Sequence, residues 1–228
     1  MSSMDVEGFI LKLAQSLPGL LFAIVAHEWA HGYMAKRFGD DTAERSGRLT
    51  FNPAAHIDPF GTVIMPLILL AMGWGAFGYA KPVPVDVRNF KNFRKGIFWV
   101  SFAGPLANFT IGIVSAFLYA LFEVGIVPHS FGFHSEIQKM LEFSLVINFV
   151  LGGFNLIPIP PLDGSKMVAS FLKGEMLRKY EELARYANFI FIGLILLSIA
   201  GVHILSYFIY PFVIVGQVIA NFFLQMLS

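Results

Sequence analysis

The sequence predicts an all-α polytopic membrane protein with about five to six transmembrane helices, a re-entrant segment and short β-strands near the cytoplasmic face. Three observations lead to this fold class. Of the 228 residues, 56% are hydrophobic, and the mean hydropathy is +0.68. Only 14% are charged, against about 25% in an ordinary soluble domain. Four stretches of 20 residues or more contain no Asp, Glu, Lys or Arg. We expect one membrane-embedded domain over residues 1–228, with a core at 17–170 and additional C-terminal helices at 186–228.

The first apolar segment, residues 17–38, contains the motif HEWAH. His27 and His31 are four residues apart and therefore lie on one face of a helix, as two ligands of a single metal ion must. Glu28 lies about 100° around the helix from His27, so its carboxylate can reach a reacting water without being a ligand. Polar side chains in hydrocarbon cost about 2 to 3 kcal/mol or more apiece. We therefore interpret H-E-x-x-H as part of a zinc site rather than as polar residues that satisfy one another in a helix bundle.

The polar segment 39–59 predicts a loop with a short strand at 48–51, because it contains glycine and two prolines. His56 and Asp58 in this loop are candidate extra ligands, although turn formation explains them more simply. The 22 uncharged residues at 59–80 are long enough to span a bilayer, yet basic residues accumulate in the loops on both sides. Because basic loops stay on the cytoplasmic side, we favour a re-entrant segment at 59–80 over a full span.

Residues 81–87, KPVPVDV, predict an extended segment, because two prolines exclude a helix interior. The 27 uncharged residues at 96–122 predict a span, and they contain the motif AGPLAN at 103–108. Pro105 removes one helix hydrogen bond, and the amide of Asn108 needs a partner in hydrocarbon. Asn108 either ties two helices together or acts at the site, and the sequence favours neither reading.

The uncharged run 143–162 predicts a further span, which leads into NLIPIPPLDG at 155–164. Its three prolines exclude a regular helix, so we expect the chain to unwind and to present Asp163 on an extended segment at the end of the span. Five basic residues then mark a cytoplasmic loop: Lys166, Lys173, Arg178, Lys179 and Arg185. The final 43 residues carry no Asp, Glu, Lys or Arg and predict two more spans joined by a tight turn.

This topology places His27, His31 and Asp163 at a similar depth, near the cytoplasmic ends of their spans. The chain contains no cysteine, so a zinc site must use nitrogen and oxygen ligands. Catalytic zinc usually has three protein ligands and one open position, and two imidazoles with one carboxylate are a standard set. We therefore predict that these three residues bind Zn²⁺.

The chemistry of peptide hydrolysis follows from this ligand set. Zinc polarises the substrate carbonyl, and Glu28 accepts the proton of the attacking water and delivers it to the leaving amine. A side-chain amide can stabilise the oxyanion, and Asn155 or Asn108 could supply it.

The motifs HEWAH, AGPLAN and NLIPIPPLDG, in this order and each in a hydrophobic segment, resemble the site-2 protease family (peptidase family M50) of intramembrane zinc metalloproteases. The stretches GRLTFNPAAHIDPFG and AKPVPV resemble its compact prokaryotic branch, which has neither PDZ nor CBS domains. The resemblance covers residues 17–170 and implies cleavage of transmembrane helices near the cytoplasmic side of the membrane. It also implies roles for six residues: zinc ligands His27, His31 and Asp163, catalytic base Glu28, and substrate-holding Asn155 and Asn108.

The expected partners are a transmembrane peptide or membrane-protein substrate and the lipid bilayer, with no nucleic acid; a homo-oligomer or an accessory membrane protein stays open. The basic loops predict a multi-pass protein of a prokaryotic plasma or inner membrane, with the active site towards the cytoplasm and the N-terminus outside. The alternative function is a membrane metal-ion transporter or sensor with the same ligands, although the sequence shows no repeated ligand set. A catalytically silent protein that captures transmembrane helices is a third reading, which the intact motif argues against.

Overall fold

The computed structural model describes residues 6–65, 67–68, 81–199, 201 and 204–228, and the regular structure in this part of the chain is helical. Two 3₁₀ turns at Pro53–Ala55 and Val87–Asn89 and a π-helix at Pro59–Ile64 accompany the α-helices. The all-α class is thus confirmed for the described residues. The α-helices are α1 (Val6–Arg37), α2 (Thr42–Arg45), α3 (Phe93–Glu123), α4 (His134–Asn155), α5 (Asp163–Phe171), α6 (Gly174–Ala184), α7 (Ala187–Ile199) and α8 (Ile204–Leu227).

Four helices of the described chain are long and apolar enough to cross a membrane, namely Ile10–Arg37 within α1, and α3, α4 and α8. This number and their composition agree with a polytopic membrane protein. Helix α7 is described over 13 residues, and residues 200 and 202–203 lie outside the described residues, so the first of the two spans predicted in the final 43 residues stays a prediction. Of the predicted re-entrant segment 59–80, the first six residues form the π-helix, and 66 and 69–80 lie outside the described residues. The re-entrant path therefore stays a prediction.

The strand predicted at 48–51 does not form, because side chains and turn contacts take up the local hydrogen-bonding groups. The ring of His56 donates from Nε2 to the carbonyl oxygen of Thr50 at 2.8 Å. The hydroxyl of Thr50 accepts from the N–H of Asn52 at 3.1 Å, and the side chain of Asn52 caps the following 3₁₀ turn. A strand needs a neighbouring strand for these groups, and the described residues supply none.

One compact unit of the chain comprises Met1–Ala23, Asn108–Asn155 and Ile190–Ser228. The ring of Phe149 lies at the centre of its core, and a Cβ atom added at Gly112 or Gly216 would lie 2.8 Å from that ring. The absence of a side chain at these two glycines therefore leaves the space that the ring of Phe149 occupies. The other core residues are Ala116, Leu145 and Ala220, with Phe109, Ile219 and Phe223 packed against them.

A buried polar network connects the helices of this unit. The side-chain amide of Asn108 donates to the carbonyl oxygen of Ala23 at 3.1 Å and to Oδ1 of Asn148 at 3.0 Å. Asn148 in turn donates to the carbonyl oxygen of Ser144 at 2.8 Å. Both asparagines are fully buried, so their hydrogen bonds replace those that water would make. The network ties α1, α3 and α4 together, which is the first of the two roles predicted for Asn108.

The second compact unit comprises Ile24–Ala107 and Leu156–Phe189. It contains the HEWAH part of α1, the first half of α3, and helices α5 and α6. Its core consists of Ala35, Phe90 and Val100, and four partly buried residues pack against these: Met34, Phe38, Val85 and Ile97. All three predicted metal ligands belong to this unit.

Candidate metal centre

The side chains of His27, His31 and Asp163 converge on one point. Nε2 of His27 lies 3.0 Å from Nε2 of His31, and Oδ2 of Asp163 lies 3.2 Å and 3.1 Å from these two nitrogens. The three residues form a group of potential metal ligands although 132 positions separate Asp163 from His31. His27 and Asp163 are buried, and His31 is nearly so.

A hydrogen bond at Nδ1 of His31 determines whether Nε2, the ring nitrogen that faces the other two side chains, carries a proton or a lone pair. Nδ1 of His31 lies 2.6 Å from the carbonyl oxygen of Val100, and a carbonyl can only accept, so Nδ1 carries the proton. In the neutral ring, Nε2 then presents a lone pair to the Asp163 carboxylate, which is also an acceptor. Two acceptors 3.1 Å apart repel each other unless a proton or a metal ion lies between them. The arrangement is therefore suited to a cation.

The spacing of the three atoms fits a tetrahedral ion. Zinc bonds to nitrogen and oxygen of about 2.0 to 2.1 Å place neighbouring ligand atoms about 3.3 to 3.4 Å apart, within a few tenths of an ångström of the observed 3.0 to 3.2 Å. The backbone of α3 also leaves room for the imidazoles. A Cβ atom at Gly104 would lie 2.5 Å from Nε2 of His31 and 2.6 Å from Nε2 of His27. Only glycine at this position of AGPLAN allows both rings to occupy the site.

Asp163 reaches the site from the start of a helix, not from the extended segment that the sequence predicted. Helix α4 ends at Asn155, residues 156–162 form turns, and Asp163 is the first residue of α5. The turn folds back so closely that a Cβ atom at Gly164 would lie 2.2 Å from the carbonyl oxygen of Leu156. This close approach explains why glycine follows the aspartate.

The two carboxylate oxygens of Asp163 have different neighbours. Oδ2 faces the histidines, whereas Oδ1 accepts from the ammonium of Lys166 at 3.2 Å. Burial raises the pKa of Asp163, but a proton held between the carboxylate and the imidazoles of His31 and His27, together with the charge of Lys166, lowers it by more, to well below its ordinary value. The side chain is therefore a carboxylate, the form that binds a metal ion.

Glu28 does not belong to the ligand cluster among the described residues, and a different group holds its carboxylate. Oε2 of Glu28 accepts a hydrogen bond of 2.7 Å from the main-chain N–H of Val83. Because Pro82 and Pro84 have no N–H, Val83 supplies the single backbone donor of this three-residue stretch. The predicted extended segment KPVPVDV thus acts as the support of Glu28, a role that the sequence did not indicate.

Hydrogen bonds on both sides of Val83 fix this segment. On the N-terminal side, the N–H of Lys81 donates to the carbonyl oxygen of His56 at 3.0 Å, and Arg48 donates to that of Lys81 at 2.8 Å. On the C-terminal side, the N–H of Asp86 donates to Oδ2 of Asp40 at 2.7 Å.

Asp40 is a completely buried carboxylate with four donors around it. Besides Asp86, the amide of Asn89 donates to it at 2.9 Å, and Thr42 donates through its main-chain N–H and its hydroxyl. Burial raises the pKa of Asp40, and these hydrogen bonds lower it by more, so the carboxyl titrates below its ordinary range. Asp40 therefore anchors the segment that holds Glu28.

The remaining predicted residues make structural contacts in the described part of the chain. His56 is buried and holds Thr50, and Asp58 caps the π-helix by accepting from the N–H groups of Phe60 and Gly61. Neither joins the ligand group, in agreement with the turn-forming interpretation. The amide of Asn155 donates to the carbonyl oxygen of Leu151 in its own helix at 3.0 Å. The oxyanion roles of Asn155 and Asn108 stay predictions.

Comparison with known proteins gives the family. The sequence profile described as "Peptidase family M50" matches residues 123–199. The Bacillus subtilis protein named "Putative zinc metalloprotease YwhC" is 35% identical over 198 residues, which cover 87% of this chain and 85% of the relative. "Putative zinc metalloprotease Rip2" of Mycolicibacterium smegmatis is 34% identical over 170 residues, or 75% of this chain and 60% of the relative. "Zinc metalloprotease MJ0392" of Methanocaldococcus jannaschii is 27% identical over 153 residues, or 67% and 33%.

No solved structure gives a significant match to the chain. The relative from Bacillus subtilis is matched over most of the length of both proteins, and the profile match covers the segment that contains Asp163. The resemblance that the three motifs indicated is therefore confirmed: this chain belongs to peptidase family M50, the site-2 protease family of metalloproteases.

Proposed function

We propose that this protein is an intramembrane zinc metalloprotease that hydrolyses peptide bonds in or next to the transmembrane helices of membrane-protein substrates, as in regulated intramembrane proteolysis. The observation that carries the proposal is the convergence of His27, His31 and Asp163 on one point, with Glu28 on the same apolar helix as the two histidines. Family membership supports the reaction type, and the four apolar helices support a substrate that is itself in the membrane.

In this proposal His27, His31 and Asp163 hold Zn²⁺, and Val100 and Lys166 orient two of the ligands. A zinc ion bound there would supply Lewis acidity, which polarises the scissile carbonyl and acidifies water. Gly104 keeps the space that both imidazoles need. These residues prepare the site before a substrate arrives.

Glu28 is the general base and then the general acid. The hydrogen bond from Val83 holds Oε2, and we assign Oε1 to the attacking water. As the water oxygen bonds to the scissile carbon, Glu28 takes up the proton; it then gives the proton to the amide nitrogen as the carbon–nitrogen bond breaks. Asn155 would donate to the oxyanion, because both amide hydrogens of Asn108 are already bonded to Ala23 and Asn148. The substrate helix has to unwind locally, because a helical peptide bond is shielded by its own turn.

The proposal places the protein in a prokaryotic plasma or inner membrane, with the site towards the cytoplasm and the N-terminus outside. The support is the position of the basic residues: Lys36 and Arg37 end α1, and Lys166 stands beside the site. The partners would be a single-span or multi-span membrane protein and the bilayer itself, with room for a homo-oligomer or an accessory membrane protein.

The test uses the full chain, purified in detergent, with metal analysis and a panel of single-span transmembrane peptides with and without a zinc chelator. We expect about one zinc per chain and cleavage that the chelator abolishes. Glu28→Gln should retain zinc and lose at least about 100-fold in kcat, whereas Asp163→Ala should lose both zinc and activity. Cleavage at the normal rate by Glu28→Gln would refute the mechanism. Zinc binding without cleavage of any peptide, together with zinc flux into vesicles, would favour the transporter instead.

A further inference from the structure

A second feature of α1 lies on the side of the helix away from the metal ligands. Trp29, Tyr33 and Lys36 are spaced four and three residues apart and form one stripe. Trp29 is two residues beyond His27, and hence about 200° around the helix from it. Together with Arg37 and Leu49, this stripe lines a half-open cavity of about 540 Å³, which we call the α1 pocket. The mechanism proposed above does not use it.

The wall of the α1 pocket contains the aromatic rings of Trp29 and Tyr33. The rings of Trp29 and Tyr33 stack with centroids 4.9 Å apart at 12°, and Phe51 stacks on Trp29 at 4.7 Å. Leu49 adds an aliphatic side chain. Such a wall offers apolar contact to a ligand that is not itself a bare ion.

The rim of the α1 pocket is cationic. Arg37 donates from Nε and a terminal nitrogen to the hydroxyl of Tyr33 at 3.1 Å and 2.7 Å, and its guanidinium lies 5.3 Å from the centre of that ring. These partners are neutral, and no carboxylate of the described chain forms an ion pair with Arg37. Lys36 pairs with Glu44 at 2.7 Å. The rim thus carries a net single positive charge, held in place by an aromatic residue.

The depth of the α1 pocket indicates which anion it meets. The candidate span of α1, Ile10–Arg37, ends with Lys36 and Arg37, and basic residues at the end of a span are expected at the level of the lipid headgroups. Tryptophan and tyrosine concentrate at this level, where apolar and wet surroundings meet. The anion that is present throughout the lipid surface at this level is the phosphodiester of the lipid headgroups. The glycerol and the upper acyl carbons of the same lipid provide apolar surface that matches the aromatic side chains.

We propose that the α1 pocket binds the headgroup of an anionic glycerophospholipid, with the phosphodiester on Lys36 and Arg37 and the glycerol backbone against Trp29, Tyr33 and Leu49. Free phosphate shares the anionic chemistry but makes no use of the aromatic wall. An acidic peptide segment is a different occupant, and the position of the pocket at headgroup depth argues for the lipid. The bound lipid would hold the end of α1, and with it the helix that carries HEWAH, at a fixed level in the leaflet.

Trp29 is a built-in reporter for this site. The chain contains three tryptophans, and in a Trp74→Phe, Trp99→Phe background Trp29 is the single one. This full-length chain is reconstituted in phosphatidylcholine vesicles that contain a small fixed fraction of brominated phosphatidylglycerol or, in parallel, brominated phosphatidylcholine. Bromine quenches tryptophan on contact. We expect brominated phosphatidylglycerol to reach half-maximal quenching at a roughly five- to tenfold lower fraction than brominated phosphatidylcholine, since each nearby cation attracts anionic lipid.

Variants separate the pocket from general surface charge. Lys36→Gln with Arg37→Gln should remove the preference for phosphatidylglycerol, and the swap Lys36→Arg with Arg37→Lys, which keeps both charges, should retain most of it. Arg45→Gln is the matched control, because Arg45 is exposed, pairs with Asp41 and does not line the pocket. Equal quenching by the two lipids, or an equal loss of preference in Arg45→Gln, would overturn the proposal. Relief of quenching by inorganic phosphate or by an acidic peptide, but not by unlabelled phosphatidylglycerol, would overturn it in favour of those ligands. If only unlabelled phosphatidylglycerol relieves the quenching, the result supports the proposed lipid site.

Discussion

Replacement of Gly104 by alanine tests the metal centre through a residue that is not a ligand. The added Cβ atom would lie 2.5 Å from Nε2 of His31 and 2.6 Å from Cε1 and Nε2 of His27. Non-bonded heavy atoms normally stay about 3.5 Å apart, so both rings or the helix have to move by about 1 Å. Metal sites tolerate ligand displacements of about 0.2 Å. We therefore expect the affinity for zinc to fall about 100-fold, which is the upper end of the range seen when residues that support the metal ligands are replaced.

The same substitution should leave the protein folded, which makes the result interpretable. Alanine gains about 1 kcal/mol over glycine within a helix, while overpacking costs about 1 to 3 kcal/mol, so the net loss of stability is about 2 kcal/mol at most. The assay is competition of the purified full chain with a chromogenic zinc chelator, with thermal unfolding of the apo-protein measured in parallel. Gly193→Ala is the matched control, because a Cβ atom there meets no atom of the described residues within 4 Å. If Gly104→Ala bound zinc as tightly as Gly193→Ala, the imidazoles would not occupy the positions described.

Three further outcomes follow from the contacts around Glu28 and Asp40. Glu28→Ala should speed hydrogen exchange of the Val83 amide about tenfold, because the amide loses its acceptor, while the Lys81 amide keeps its protection. In the stretch 82–84 only Val83 has an exchangeable main-chain amide. Unchanged exchange of this amide would mean that the hydrogen bond to Glu28 is absent. Asp40→Ala should lower the free energy of unfolding by about 2 kcal/mol, because the partly buried donors of Thr42 and Asp86 lose their acceptor; the donor of Asn89 is exposed and can bond to water instead. The exposed Asp41→Ala should change it by less than about 0.5 kcal/mol. Folding lowers the pKa of Asp40, so its contribution to the free energy of unfolding is complete above the ordinary carboxyl pKa of 3.8 and is lost as the pH falls from that value through the lower pKa of the folded state. An acid-unfolding profile that is the same for wild type and Asp40→Asn would refute this assignment.

The local part of the site could be predicted because it depends on helix geometry alone. The spacing of His27 and His31 brings their rings to one face of any α-helix, and the apolar sequence around them indicates the membrane. Asp163 was predicted from topology, since spans that run in the same direction place their inner ends at one depth. The three prolines before Asp163 correctly indicated that the helix ends, at Asn155. They did not indicate that a new helix begins at Asp163 itself.

The supporting residues could not be predicted because they depend on how distant segments approach one another. Glycine in AGPLAN signals close packing in general, but only the structure shows that the space at Gly104 belongs to the two imidazoles. The donor role of Val83 depends on a main-chain group, for which the sequence has no letter; two flanking prolines are the only signal. The strand expected at 48–51 was wrong for a related reason. The residue pattern at 48–51 is typical of a strand, but the ring of His56 donates a hydrogen bond to the carbonyl oxygen of Thr50, which a strand would use for pairing.

The most direct test of the central claim is X-ray absorption at the zinc edge of the purified full chain, with Asp163→Ala measured alongside. We expect a four-coordinate ion with nitrogen and oxygen neighbours at about 2.0 to 2.1 Å, two of them showing the multiple-scattering pattern of imidazole, and a clear change of the spectrum in Asp163→Ala. A spectrum with fewer than two imidazoles, or one that Asp163→Ala leaves unchanged, would contradict the convergence of these three residues on a single zinc ion.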